Sequence, residues 1–329
     1  VIVAFRWLAI RVEFGAGLIK LRGDPCWGDL TCMDFHHETQ PLPNPLSWFF
    51  HRLPRRIHRI ETVGNFVAQL VLPFGLFLPQ PFATLAGVLM IATQLYLVVS
   101  GNYAWLNWVT IVALTAAIAD PVVHSVVPAL GAASTFGPTP LWFSGLIVLL
   151  AITVVVLSWF PVRNLLSPDQ AMNRSFDPFR LVNTYGAFGS VSRVRDEVVI
   201  EGTTAENPAG DDDWLEYGFK GKPGDPRRLP PQWAPYHLRL DWLMWFLPLS
   251  PRYGDRWFVP FVVKLLENDR ATLALLRHNP FPGEPPRWVR ARLFRYRFSS
   301  WAERRATGAW WVRTAQGEFL RPIGLGGRD

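Results

Sequence analysis

The sequence predicts a membrane α-helical bundle followed by a soluble α+β domain, which we expect to be β-sandwich-like. The first reason is the distribution of charge: residues 1–160 hold only 8 of the 33 Lys and Arg residues and 7 of the 26 Asp and Glu residues. The second reason is that the weakly charged half contains long apolar stretches, whereas the other half alternates apolar and polar residues. We predict a transmembrane region at 1–160 with a polar loop at 22–60, a linker at 161–180 and a soluble, β-rich domain at 181–329.

Four stretches are long and apolar enough to cross, or nearly cross, a bilayer. The clearest is Leu141–Phe160, which has no charged residue and has Trp near both ends. About 20 apolar residues span the hydrocarbon core of a bilayer, and Trp favours its interface. The other three stretches are Phe82–Val99, Tyr103–Ala119 and the shorter Asn65–Leu78, which contains Pro73.

The first apolar stretch, Val1–Leu21, is a fifth predicted crossing segment, although it carries Arg6, Arg11 and Glu13. Charges at this spacing are expected to face the protein interior, because an unpaired charge in hydrocarbon is costly. The stretch is not a signal peptide, since no basic n-region or small-residue cleavage site accompanies it. Because the chain begins without Met inside this stretch, we expect further membrane helices to precede it.

The loop at 22–60 contains both cysteines, Cys26 and Cys32, and ends in a basic stretch, Arg52–Arg59, expected to lie along the membrane surface. The cysteines either form a disulfide, which requires an oxidising, non-cytoplasmic compartment, or remain free thiols. The positive-inside rule would instead place this basic loop in the cytoplasm. We give the cysteines more weight. The loop is then non-cytoplasmic, and helix parity places the C-terminal domain on the same side.

Periodicity predicts several short elements in the C-terminal half. Strands are expected at Asn183–Gly202, Asp213–Phe219 and Trp288–Phe298, and a closing hairpin around Ala315-Gln-Gly with arms at Trp310–Thr314 and Glu318–Leu320. Short helices are expected at Trp257–Glu267 and Ala271–His278. The five prolines of Gly221–Pro235 predict a loop.

Lys20 is the first candidate functional residue. Gly15, Ala16 and Gly17 precede it, and such small residues let another helix approach closely. At the end of a membrane helix a Lys either extends its ammonium group to water or, when it is desolvated, acts as a base. Spacing alone favours the first alternative.

A second candidate is the cluster Asp34, His36, His37 and Glu38, whose side chains can bind metals. Adjacent His residues on a loop usually point apart, so hydrogen bonding within an ordered loop is favoured, and we predict no metal and no cofactor.

Four polar residues in or beside the apolar segments either connect helices or line a substrate path, and the first alternative is favoured; they are Gln69, Gln94, Asn102 and Asn107.

The basic excess of +7, with a pI of about 9.8, is assigned to membrane lipid rather than nucleic acid, because the headgroups are the nearer anions. Arg far outnumbers Lys among the basic residues, which indicates a GC-rich bacterial genome. No phosphate-binding loop, dinucleotide glycine motif, G-x-S-x-G motif or metalloprotease helix motif is present.

The segment Gly15–Pro54, GAGLIKLRGDPCWGDLTCMDFHHETQPLPNPLSWFFHRLP, resembles the signature region of the lipase maturation factor family. Further similar segments follow in family order along nearly the whole chain; they are SGNYAWLNWVTI (100–111), NTYGAFGSVSRVRDEVVIEGT (183–203), PYHLRLDWLMWF (235–246) and NPFPGEPPRWVRARLFRYRF (279–298).

The resemblance implies a multi-pass membrane protein with a non-cytoplasmic C-terminal domain that binds lipase-like client proteins. It implies the endoplasmic reticulum membrane for an animal member, where the family assists folding and assembly of secreted lipases. A bacterial member, which the Arg bias favours, would lie in the cell membrane and face the exterior. The resemblance does not identify client-binding residues.

A second, local similarity concerns the small-residue helix, the Gly-Leu-Ile-Lys-Leu run and Trp27. It resembles vitamin-K-dependent γ-carboxylase and its bacterial relatives, and it implies that Lys20 is a catalytic base. The alternative function is therefore a membrane-embedded enzyme that uses Lys20, with Asp24, His36 and His37, on an amphiphilic substrate. A scaffold without chemistry is the third possibility, and of these the maturation factor is favoured over an enzyme.

Overall fold

The computed structural model describes residues 2–130 and 137–325, and it divides into two compact units. The first unit comprises Val1–Asp34, Leu53–Val98 and Trp105–Val191. The second comprises Phe35–Arg52, Val99–Ala104 and Ser192–Asp329. Part of the polar loop therefore folds with the C-terminal residues, while the division of the sequence at 160 and 180 stays a prediction.

The first 166 residues are mainly helical. Val1, where the first apolar stretch was predicted to begin, lies outside the described residues. The helices are α1 (Ile2–Arg22), α2 (Pro25–Gly28), α3 (Met33–Thr39), α4 (Ser47–His51), α5 (Arg55–Phe66), α6 (Leu72–Gly75), α7 (Phe82–Ser100), α8 (Leu106–Thr115), α9 (Asp120–Val126) and α10 (Leu141–Leu166), with a π-helical turn at Val67–Val71 between α5 and α6.

Two described helices, α7 and α10, are long and apolar enough to cross a membrane, as their sequences predict. The predicted segment Tyr103–Ala119 is different, because α8 ends at Thr115 and the chain bends by 119° into α9. Pro121 lies in the first turn of α9, where its missing N–H costs nothing, and it cannot continue a preceding helix. The pair α8 and α9 is thus a broken span or a re-entrant loop, which raises the number of candidate spans to three at most.

The charges of α1 face the protein interior, as predicted. The Arg6 Nε donates to the carbonyl of Ala116 at 3.2 Å, and the Arg11 guanidinium donates to the carbonyl of Asn183 at 3.0 Å. Glu13 is 2% exposed. Each group therefore finds a polar partner within the first unit and does not meet lipid.

The second unit contains one antiparallel sheet with the order β2-β1-β3-β4. Its strands and helices are β1 (Arg195–Thr203), β2 (Leu215–Glu216), α11 (Arg239–Phe246), α12 (Phe258–Leu266), α13 (Arg270–Leu273), β3 (Trp288–Phe298), α14 (Trp301–Thr307) and β4 (Trp311–Ile323). The predicted strand Trp288–Phe298 and the predicted helix near Trp257–Glu267 are both confirmed.

Different elements cover the two faces of this sheet. Val198 and Ile200 pack against α12, whereas Val199, on the opposite face, clusters with Trp48 and Trp311. This alternation follows from the two-residue period of a strand. The α+β class is confirmed for the described residues. The β-sandwich is not, because helices and the α4 segment cover the faces where a second sheet would lie.

Two predictions about strands are wrong in detail. Asn183–Val194 is irregular, and β1 begins only at Arg195. The hairpin predicted around Ala315-Gln-Gly does not form, because β4 continues through it. Ala315 pairs with Phe294 and Gly317 with Leu293, so Gln316 is an extra residue in a β-bulge. A turn-like sequence therefore marks a bulge here.

Arg195 holds the 35–52 segment inside the second unit. Its guanidinium donates to the carbonyls of Glu38 at 3.0 Å, Gln40 at 2.5 Å and Pro41 at 3.0 Å. It also pairs with the Glu197 carboxylate at 2.6 Å, and both side chains are almost completely buried. Three carbonyls and one carboxylate thus replace the water that a guanidinium would otherwise bind.

A loop at residues 173–185 follows α10 in the first unit, and we call it the 173–185 turn. Ser175 and Asn183 form an antiparallel bridge at its base. The Asp177 carboxylate accepts hydrogen bonds from the backbone N–H groups of Leu181, at 3.0 Å, and Val182, at 3.4 Å. The bond from Leu181 is the main cause of a lowered pKa of Asp177.

Replacing Arg195 is expected to destabilise the second unit. Arg195→Met leaves the Glu197 carboxylate with Lys222, at 2.9 Å, as its remaining cation and frees three buried carbonyls, which we expect to lower the free energy of unfolding by about 3 kcal/mol. Thermal unfolding followed by Trp fluorescence measures this, and hydrogen exchange at 35–52 should accelerate. The control Arg295→Met removes an exposed pair with Asp196 and should leave the midpoint nearly unchanged. Equal midpoints for both variants would contradict the role of Arg195.

The lowered pKa of Asp177 predicts a pH dependence of the 173–185 turn. The stabilisation by this carboxylate is fully present above the unfolded pKa of about 3.9 and is lost as pH falls through the lower folded pKa. Hydrogen-exchange protection of residues 181–182 should therefore be greater in the wild type than in Asp177→Ala at neutral pH, and the difference should vanish in strong acid. A difference that grows on acidification would show that the sign is wrong.

Candidate functional site

Lys20, in the last turn of α1, lies inside the first unit and is only 6% exposed. Its ammonium group donates to the side-chain oxygens of Asn65 at 2.7 Å and Gln69 at 2.9 Å. The same nitrogen lies 5.1 Å from the centre of the Trp27 ring, which gives a cation–π contact. The three N–H directions of the ammonium group thus have two amide acceptors and one aromatic face to interact with.

The charge that balances Lys20 is on the same helix. Glu13 precedes Lys20 by two helical turns and interacts with it electrostatically. The Gln94 amide donates to the Glu13 carboxylate at 2.5 Å, and Gln69 also hydrogen-bonds this carboxylate. Asn107 donates to the Gln94 side-chain oxygen at 2.8 Å. We call Lys20, Gln69, Glu13, Gln94 and Asn107 the polar network.

The polar network joins α1 to three other helical segments, and the local backbone explains how. Gln69 lies in the π-helical turn, a rare geometry that is frequent at functional sites. Gly17 faces this turn, since a Cβ there would lie 2.7 Å from Leu70 Cδ2 and 2.9 Å from Gln69 Cβ. The close approach predicted for the small residues of α1 therefore occurs at Gly17, and only glycine fits.

The helix α5 extends the polar surface inside the first unit. His58, Glu61 and Asn65 follow one another at spacings of three and four residues and so share a face of the helix. His58 Nδ1 lies 2.7 Å from the Glu61 carboxylate, which also accepts the Tyr96 hydroxyl. The opposite face exposes Ile57, Ile60 and Val63 together with Arg56 and Arg59. A helix with basic and apolar side chains on its exposed face fits the interface between lipid headgroups and hydrocarbon.

Gln69, Gln94 and Asn107 were predicted to connect helices, and each does so in the first unit. His58, Glu61 and Asn65 were not predicted. His58 lies in the basic stretch expected along the membrane surface, and Asn65 begins the predicted crossing segment Asn65–Leu78. The three-and-four spacing of these polar residues was the available signal. Asn102 lies in the second unit, where it binds the backbone of Pro43, Pro231 and Trp233.

Cys26 and Cys32 form a disulfide with a Cα–Cα distance of 4.9 Å, so the first of the two predicted alternatives is confirmed. Asp24 caps the helix α2 that contains Cys26, accepting its N–H at 3.0 Å. The Trp27 ring nitrogen in the same helix donates to the carbonyl of Phe188 at 2.9 Å. Asp24 and the disulfide therefore position the Trp27 ring against the Lys20 ammonium. The cysteine sulfurs are not available as metal ligands.

His36 and His37 belong to the second unit, whereas Lys20 and Asp24 belong to the first. His36 Nε2 lies 2.8 Å from the Tyr103 hydroxyl, and the two rings are stacked. The His37 ring stacks on Phe50 at 5.4 Å. The carboxylate of Glu38 accepts the N–H of Phe298 at 2.6 Å, and burial raises its pKa. Hydrogen bonds and ring stacking thus order this loop, while the absence of a metal stays a prediction.

The two units define a class of protein: a helical membrane region with a buried, charge-balanced polar network, joined to an α+β domain. The lipase maturation factor transmembrane domain matches residues 1–125, and the lipase maturation factor C-terminal domain matches residues 181–321. The chain belongs to the lipase maturation factor family, as the resemblance of its motifs predicted.

Individual relatives agree with this assignment. The chain is 45% identical to lipase maturation factor 1 of Bos taurus over 339 residues and to that of Homo sapiens over 345 residues. It is 27% identical to lipase maturation factor 2 of Homo sapiens over 429 residues. These alignments cover 97%, 99% and 98% of this chain and 60%, 61% and 59% of the relatives, so the chain spans about 60% of their length. No solved structure matches the chain.

These relatives are animal proteins, so they do not support the bacterial origin that the Arg bias indicated. A high proportion of Arg among the basic residues reflects nucleotide composition in many genomes and is weak evidence of origin. The predicted membrane location is supported by the matched transmembrane domain and by the apolar helices.

A double-mutant cycle tests the charge balance of the polar network. Lys20→Met and Glu13→Gln each leave a buried charge without its counter-charge, so each should lower the free energy of unfolding by about 3–5 kcal/mol. The double variant removes both charges and should lose less than the sum of the two, by about 1–3 kcal/mol. Thermal unfolding in detergent measures all four proteins.

The matched control is the Lys264–Glu267 pair on the surface of α12, whose side chains are 51% and 41% exposed. The same cycle there, with Lys264→Met and Glu267→Gln, should show no measurable coupling because water screens the pair. Additive losses at Lys20 and Glu13 would show that the two residues do not balance each other.

Proposed function

We propose that this protein is a membrane-anchored maturation factor that assists folding or assembly of lipase-like client proteins. The observation that carries the proposal is the 45% identity to lipase maturation factor 1 over nearly the whole chain, including both family domains. The helices anchor the protein and the second unit binds the client. The animal relatives favour the endoplasmic reticulum membrane, and the disulfide favours a non-cytoplasmic side for the segment that contains it.

The second unit offers a surface of the kind that protein clients bind. Phe49 and Trp301 are 44% and 53% exposed, and their rings lie 6.2 Å apart. Trp310 lies 6.2 Å from Phe49 and beneath the Arg304 guanidinium, which is 4.0 Å from its ring. Trp and Arg carry much of the binding energy at protein interfaces. We call Phe49, Trp301, Trp310 and Arg304 the aromatic patch, and we propose that it contacts the client.

The contacts of Lys20 favour a structural role over the proposed alternative of an enzyme. A general base needs a free lone pair within hydrogen-bond reach of the substrate proton. The Lys20 ammonium instead donates to Asn65 and Gln69 and is covered by Trp27. Its positive charge is also the partner of Glu13, so loss of a proton would leave the Glu13 carboxylate unbalanced.

The test is the specific activity of secreted lipases, per unit of lipase mass, in host cells that lack the gene. Wild type is expected to restore this activity. Trp301→Ala should restore it only partly, because truncating a hot-spot aromatic costs about 2 kcal/mol or more of binding. Lys20→Arg keeps the positive charge and should restore activity if Lys20 is structural.

Tyr236→Ala is the matched control, since this aromatic side chain is 66% exposed in the same unit and lies outside the aromatic patch. The amount of each variant in the membrane is measured in parallel, so that a folding defect is recognised. If Trp301→Ala restores the full specific activity of the lipases, the aromatic patch does not contact the client. No loss of lipase activity without the gene would overturn the maturation role, and failure of Lys20→Arg at normal abundance would favour the enzyme.

A further inference from the structure

Residues of the 173–185 turn line an open cleft of about 500 Å³. Its lining is polar and includes the guanidinium groups of Arg174 and Arg180, the hydroxyl of Ser175 and the amide of Asn183. Neither arginine has an ion-pair partner among the residues that the structure describes. Two cations and neutral hydrogen-bonding groups in the lining of one cleft suit an anion with several acceptor oxygens.

Aromatic side chains connect the lining of the cleft to the membrane helix α10. The Arg174 guanidinium lies 5.7 Å from the centre of the Phe176 ring. The Phe176 ring in turn stacks on Phe160 of α10, with centroids 5.7 Å apart and an angle of 16° between the planes. Since α10 is apolar up to Pro161, the cation is held where a bilayer changes from hydrocarbon to headgroups.

The backbone of the turn is ordered in an unusual conformation. Asn173 and Arg180 have positive φ angles of 52° and 56°, which non-glycine residues seldom adopt. The Asn173 side chain binds the backbone of Gly186 through both its oxygen and its nitrogen. Such strain persists only where the surrounding structure enforces it, and it is concentrated at ligand sites.

The tip of the turn presents apolar side chains on either side of Arg180. Phe179 is 81% exposed and Leu181 is 60% exposed. The Asp177 carboxylate holds this tip through the N–H of Leu181. A cation flanked by exposed apolar side chains is the pattern of a segment that lies in a membrane interface.

We propose that the 173–185 turn binds the phosphate group of a membrane phospholipid, with Arg174 and Arg180 on the phosphate and Phe179 and Leu181 against its acyl chains. Charge complementarity favours an anion, and continuity with α10 favours a lipid as its source. A protein ligand is disfavoured because Phe176, next to the exposed tip, stacks on Phe160 of a membrane helix.

The experiment titrates the full chain, purified in dodecyl maltoside, with dihexanoyl phosphatidylglycerol and measures the heat of binding. The expected result is saturable binding that Arg174→Gln/Arg180→Gln weakens about tenfold or more, because two charge-assisted contacts are lost. The control Arg227→Gln/Arg305→Gln removes two exposed arginines elsewhere and should bind like wild type. Unchanged thermal midpoints show that all variants are folded.

Two further probes identify the source of the anion. Dihexanoylglycerol, which lacks the phosphate, should bind at least tenfold more weakly than the phospholipid, and Phe179→Ser/Leu181→Ser should weaken phospholipid binding. Inorganic phosphate could instead bind with the same affinity as the phospholipid, and Phe179→Ser/Leu181→Ser could leave that affinity unchanged. This result would show that the site binds a free anion and not a lipid. Equal phospholipid affinity for wild type and Arg174→Gln/Arg180→Gln would overturn the site.

Discussion

A charge removed from water must be neutralised by partners inside the protein, and this constraint organises each unit separately. In the first unit the Lys20 ammonium and the Glu13 carboxylate are balanced through side-chain amides from neighbouring helices, so the packing of those helices is tied to one pair of charges. In the second unit the buried Arg195 guanidinium takes its neutralising partner from Glu197 and its hydrogen bonds from the backbone at 38–41. The segment 35–52 is part of that unit because the guanidinium requires those carbonyls.

The large features of the fold were predictable because they depend on composition and period. The charge-free run at Leu141–Phe160 can form only a long apolar helix, and the alternation of Trp288–Phe298 can bury only one face of a strand. The error at Ala315-Gln-Gly has a physical reason. Glycine in a strand indicates either a turn or a bulge, and pairing with residues about 20 positions earlier decides between them. That pairing is not visible in local sequence.

The candidate site was predictable only in part, for a similar reason. Lys20 and the amides Gln69, Gln94 and Asn107 stand out because they interrupt apolar sequence. Glu13 was recognised as facing inwards, but its role as the counter-charge depends on the direction of two side chains of one helix. The placement of Gln69 beside Lys20 depends on the π-helical turn that contains Gln69, because the wider turn changes the direction of its side chains. Tertiary packing, and not local preference, sets that position.

The resemblance to γ-carboxylase rests on Gly17, Lys20 and Trp27, and packing accounts for each of them here. Gly17 is small because the π-helical turn approaches it, Trp27 provides an aromatic face for a cation, and Lys20 supplies the charge that Glu13 requires. These packing roles agree with the structural role proposed for Lys20, since an ammonium group engaged by two amides and a ring is poorly placed to accept a proton. By the same physical reasoning, the two arginines of the 173–185 turn are better placed to bind a ligand. Both line one cleft, and neither has an ion-pair partner among the described residues.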